Sequence, residues 1–181
     1  MPHRARIAGI VVSVAMLAAF AAVAQQAMPM KDGPAKQAAH AGYLTITAGP
    51  GERGVFTLAT LKDFPHATVT AVNPRTHQKL VYAGVPLFDL LTHLGVPDAK
   101  TLMGKALAQY IVATGADGYK TVLSLGEIDP GLHPGTVIVA DALNGKPLGD
   151  KTGPFRLVIS EDTKPIRSVR NLVSIELKGV D

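Results

Sequence analysis

The sequence predicts a mixed α+β domain, built mostly of antiparallel β-strands with a few short helices. Three observations carry that expectation. Short runs of alternating apolar residues recur along the chain, bounded by Gly, Pro and Asn turns, as in strands with one buried face. The clearest helix is Leu87 to Leu94, where Leu87, Leu90, Leu91 and Leu94 follow helical spacing. Thr136 to Leu143 is nearly continuous in apolar residues and suits the middle of a sheet. The helix is expected to pack against a twisted or partly rolled sheet system.

The N-terminus comes first. His3, Arg4 and Arg6 precede an apolar run, Ile7 to Val23, and Ala22-Val23-Ala24 offers a small-x-small cleavage site. This is the layout of a secretory signal peptide over residues 1–24. The expected compartment is a bacterial periplasm. The run also approaches the length of a membrane span, so the membrane is a partner only if the segment stays uncleaved. Residues 25–41 are polar, rich in Ala and Pro and without apolar period, and read as a flexible leader. The folded domain is placed at 42–181.

Composition narrows the chemistry. The 181 residues, 47% hydrophobic and 18% charged, allow one globular domain with a real core. Losing Arg4 and Arg6 with the signal would take the formal net charge from +4 to +2, too little to argue for nucleic acid. The chain has no cysteine, which excludes thiol nucleophiles, thiolate zinc sites, Fe–S clusters and c-type haem attachment.

Tyr43 to Thr47 alternates as the first strand, and Gly49-Pro50-Gly51 turns the chain. Val55 to Thr57 resumes the sheet before one helical turn, Leu58 to Asp63, closed by Pro65. Ala67 to Val72 and Lys79 to Tyr82 are strands on either side of an Asn73-Pro74-Arg75 turn. Gly84-Val85-Pro86-Leu87 is expected to open the helix, with Pro86 at its first position and Gly95 ending it.

Ala106 to Thr114 and Tyr119 to Ser124 read as a hairpin around Gly115-Ala116-Asp117-Gly118. Ser124 and Glu127 have capping-box spacing, so a short helix should follow and end at Asp129-Pro130. After the apolar strand, Asn144-Gly145 makes a turn, and Gly153-Pro154 makes another. Phe155, Leu157 and Ile159 alternate with Arg156, Val158 and Ser160, and Leu172 to Leu177 is the last strand.

Between those two strands, Lys164, Arg167, Ser168 and Arg170 crowd into one loop. Guanidiniums, an ammonium and a hydroxyl beside loop amides suit a phosphate or another oxyanion. Solvated basic turns share this composition, so the reading needs a second support. The histidines His66, His77, His93 and His133 are too dispersed to predict a shared metal site. Lys151-Thr152-Gly153 has the K-T-G of serine β-lactamases without the accompanying S-x-x-K nucleophile.

Four short motifs in order resemble the molybdopterin-binding domain of the sulfite oxidase family. They are Gly84-Val85-Pro86-Leu87 with its leucine helix, Asp117-Gly118-Tyr119, Asn144-Gly145-Lys146-Pro147-Leu148, and Gly153-Pro154-Phe155-Arg156 leading to Arg167-Ser168-Val169-Arg170. The family's last loop reads roughly A-R-S-V-K-W; here Arg170 keeps the charge and Asn171 replaces the aromatic residue.

The resemblance implies molybdopterin as cofactor, with Tyr119, Arg156, Lys164, Arg167, Ser168 and Arg170 as its binding residues. The family's redox chemistry uses molybdenum held by the pterin dithiolene and one cysteine thiolate. That cysteine falls in the segment matching Ala71 to Val81, where this chain has none. Asn73, Thr76 and His77 are poor substitutes for a thiolate. No catalytic residue and no metal ligand is assigned. Two expectations follow: an exported domain that binds a pterin phosphate or a similar small anion, or a non-catalytic module on the same fold that binds another ligand or a periplasmic protein partner.

Overall fold

The computed structural model describes residues 42–97 and 102–179. The signal peptide and leader expected at 1–24 and 25–41 lie outside the described residues.

Among the described residues ten strands form two sheets. The first has the order β2 (Glu52–Thr57), β1 (Tyr43–Gly49), β10 (Leu172–Lys178), β5 (Tyr110–Gly115), β6 (Lys120–Ser124). Its neighbours are antiparallel except β1 and β10, which run parallel with Ile46 opposite Ile175. The second runs β3 (Ala67–Val72), β4 (Lys79–Pro86), β7 (Val137–Leu143), β8 (Lys146–Pro147), and β9 (Arg156–Ile159) also pairs with β7. All of its pairings are antiparallel. Among the described residues three short helices accompany the sheets: α1 (Leu58–Leu61), α2 (Leu87–His93) and α3 (Leu125–Ile128), with a 3-10 turn at Gly104–Ala108.

Both sheets feed one core. Leu44, Ile46, Ile111, Leu123 and Ile175 meet Val85, Val139, Leu157 and Leu87, Leu90 and Leu91 of α2. Each such side chain contributes about 1.5–3 kcal/mol on leaving water. A second apolar cluster, Val69, Tyr82, Ile138, Ala140 and Val158, occupies the other face of the second sheet. Alternation along β7 therefore sends Val137 and Val139 to one core and Ile138 and Ala140 to the other. Burial on both faces explains its apolar run from Val137 to Ala140.

The predicted class is the observed one, and four details differ. β4 extends through Pro86, so Gly84 and Val85 are strand residues and Pro86 precedes α2 instead of beginning it. Pro is tolerated there because β3 stops pairing at Gly84, leaving Pro86 paired only to β7. Ala106 to Ala108 belongs to the 3-10 turn, entered through Gly104 at φ +58°, and the strand begins only at Tyr110. Val158 is buried although its neighbours alternate with it, because the second cluster covers its side of β9. Glu52 to Gly54 also join β2, lengthening the strand expected from Val55.

Candidate anion site at the loop before β10

β9 and the loop after it place the basic residues. Arg156 opens β9 on the side of the second cluster, where its guanidinium lies 5.0 Å from the centroid of the Tyr82 ring. Its Nη1 donates to the Tyr82 hydroxyl at 2.8 Å. Its Nε is buried and has no hydrogen-bond partner. Burial pulls this guanidinium below its ordinary value; the charge of Arg170 acts in the same direction, against the opposing influence of Tyr82. A partly desolvated guanidinium that feels the charge of a second cation, with a donor unused, is an arrangement that an anion would relieve.

Backbone pairing fixes Arg170 nearby. Leu157 N donates to Val169 O at 2.9 Å, Asn171 N to Thr152 O at 3.0 Å and Leu172 N to Phe155 O at 2.9 Å. The loop is thereby laid along β9, with Ser168 buried and Arg170 exposed. Among the described residues neither Arg170, Arg156 nor Lys164 forms an ion pair. Lys164 is exposed.

Arg167 does not join this group. Its Nη1 meets Glu127 Oε1 at 2.9 Å, its Nη2 meets Asp162 Oδ1 at 2.5 Å, and its Nε donates to both Asp162 oxygens at 3.2 Å. The fork expected to hold phosphate is paired with two carboxylates, which neutralise its charge. Both carboxylates hold the Arg167 guanidinium well above its usual value. Burial would raise Glu127, but the bond from Arg167 and those from Ser124 outweigh it and hold the carboxyl below its usual range. Tyr119 has a similar fate: its hydroxyl donates to the Ile166 carbonyl, so its polar tip is spent on the loop.

Sequence reasoning missed Tyr82, Glu127 and Asp162. Tyr82 was legible only as an alternating strand residue, and Glu127 only as a helix cap. Their partners lie 74 and 40 positions away, beyond the reach of local pattern.

The segment Ala71 to Val81, where the family resemblance places a thiolate, is the β3–β4 hairpin. Its tip is closed by Asn73 Oδ1, which accepts from Arg75 N at 2.9 Å and Thr76 N at 3.3 Å, with His77 at φ +54°. Among the described residues no group of three or more His, Cys, Asp or Glu is placed to hold a metal. The fit to the family's cofactor is thus divided. Arg156 and Arg170 suit its phosphate, while the chain has no sulfur donor of the thiolate type for its molybdenum. A cleft of about 580 Å³ lies elsewhere, between β2, α1 and the end of α2. Its charged residues, Arg53 and Asp63, are exposed, so it lacks a partly desolvated cation such as Arg156.

The two-sheet α+β fold is shared with known proteins. The family model for the oxidoreductase molybdopterin-binding domain matches residues 33–180, and the chain belongs to that family. No curated protein matches the sequence. Among solved structures, the sulfane dehydrogenase SoxCD from Paracoccus pantotrophus is similar in fold, with a TM-score of 0.58 and 22% identity over 76% of this chain. The match spans 39% of that chain's length.

Proposed function

We propose that this domain binds a phosphate-bearing pterin cofactor through Arg156 and Arg170, with Ser168 beside them, and does not itself run molybdenum redox chemistry. One observation carries the reading: the half-buried Arg156 guanidinium has a buried, unused Nε, no carboxylate partner among the described residues and Arg170 as a neighbouring charge. Leaving such a group unpaired is costly, and an oxyanion would satisfy the donor and offset the repulsion together. Bound cofactor would supply the pterin and its dithiolene. This chain would supply charge, a hydroxyl and a fixed loop.

Export is part of the proposal, with cleavage after Ala24 and function in the periplasm. The missing cysteine favours a second reading of the same site, in which another small phosphate- or sulfate-type anion is the ligand of a non-catalytic module. A periplasmic protein partner belongs to that reading. No helix among the described residues is long and apolar enough to cross a membrane.

The test is the pterin and metal content of protein recovered from its own host, together with calorimetry against molybdopterin and a pterin phosphate. Fluorescent oxidised pterin and measurable affinity support the first reading. Affinity for inorganic phosphate without any pterin supports the second. No binding of either class refutes the site.

A further inference from the structure

We infer that Arg167 and Tyr119 are positioning residues that brace the anion loop in its binding geometry, with Glu127 and Asp162 as the fixed points of the brace. This rests on the reading of Arg156 and Arg170 as the anion site. Two cations held near one another repel, and without a ligand the exposed loop would relax by carrying Arg170 away from Arg156. Something in the protein must oppose that drift.

Two successive residues of the loop are tied down just before Ser168. The Ile166 carbonyl accepts from the Tyr119 hydroxyl, which reaches over from the β5–β6 hairpin. Arg167 meets Glu127 Oε1 at 2.9 Å and Asp162 Oδ1 at 2.5 Å. Glu127 is not free to follow the loop, because its Oε2 accepts from Ser124 N at 2.8 Å and Ser124 Oγ at 2.9 Å. The cap of α3 therefore anchors the brace. Downstream, Val169 is tied by a backbone bond to Leu157 of β9 and Leu172 to Phe155 just before it. The short piece between these anchors carries Ser168 and Arg170.

A loop ordered in advance does not lose that freedom on binding, so the brace should appear as affinity without touching the ligand. Charge at the anion itself should appear differently, as sensitivity to salt. The two roles separate experimentally.

The variants are Glu127→Gln, which keeps capping-box chemistry, and Tyr119→Phe, which keeps the ring. Hydrogen exchange of the loop amides is measured without ligand, and inorganic phosphate is titrated by NMR at several salt concentrations. Both variants are expected to exchange faster across the loop. Phosphate binding should weaken roughly 2- to 10-fold, the cost of ordering one long side chain on binding, with an unchanged salt dependence. Arg170→Ala should instead flatten the salt dependence. Unchanged exchange and affinity in the variants of a protein that binds phosphate would overturn the brace. A flattened salt dependence in Glu127→Gln would also overturn it. Failure of the underlying site shows separately, as absence of phosphate binding in the unmodified protein, and removes the positioning role with it.

Discussion

The guanidinium of Arg156 lies over the Tyr82 ring and donates through Nη1 to the Tyr82 hydroxyl at 2.8 Å, so one aromatic side chain both stacks and accepts. Tyr82 is only 2% exposed, and it orients the cation from within an apolar cluster. The cation–π contact and the hydrogen bond ease part of the desolvation and leave Nε unused.

Arg170→Ala and Arg156→Ala are each expected to weaken binding of a pterin phosphate about tenfold or more, the size of one lost charge-assisted bond. Calorimetry at low and high salt checks this. The loss should be greatest at low salt. Unchanged affinity in both variants would return the loop to the status of a solvated basic turn.

Purified protein is expected to show no sulfite-oxidase-like or sulfoxide-reductase-like turnover, because no residue supplies the thiolate. Assays with artificial electron acceptors and donors test it. A robust rate that follows the protein through purification would contradict the proposal.

Mature protein should begin at Gln25 and be found in the soluble periplasmic fraction. Intact-mass measurement decides. Retention of residues 1–24 with recovery in membranes would show an anchor.

His66 predicts a pH dependence. Its Nε2 lies 3.1 Å from Asp141 Oδ2 and its Nδ1 is 3.0 Å from the Phe64 carbonyl, so the imidazolium satisfies both acceptors. The Asp141 bond raises its pKa most strongly, with the Phe64 carbonyl also raising it and burial opposing. A raised folded value stabilises the protein fully below the unfolded value of about 6.5 and loses that contribution as pH rises through the folded value. Urea midpoints across this window should fall with increasing pH. Asp141→Asn should flatten that fall.

Gly84→Ala is expected to destabilise the fold by roughly 1–3 kcal/mol, the usual cost of overpacking. A Cβ there would run into the Val139 carbonyl and the Ala140 Cα, where β4 and β7 approach across a register shift that leaves Asp141 as the extra residue. Urea unfolding measures the change. A wild-type midpoint would show that β7 can yield.

Local signals reached a long way into this fold. Asn144 and Gly145 both take positive φ, and Ser124 and Glu127 form their reciprocal cap, because turn and cap chemistry is written in neighbouring residues. The leucine stripe of α2 was equally plain. The boundary at Pro86 was not, since it depends on where β3 stops pairing. The site divides the same way. Arg156 and Arg170 were visible as basic residues on matching motifs, whereas the diversion of Arg167 depended on Asp162 and on the remote Glu127. Charge pattern alone cannot say whether a cation already has a partner.

The parallel pairing of β1 with β10 sets an order of events. Ile46 cannot meet Ile175 until nearly the whole domain has been delivered, so the first sheet stays divided while the chain is still arriving. Contacts of such wide separation carry a high entropic threshold and slow folding. The two halves of that sheet, β2 with β1 and β5 with β6, are therefore joined only once β10 is in place. β10 lies between β1 and β5, so removing it should abolish folding rather than trim an edge.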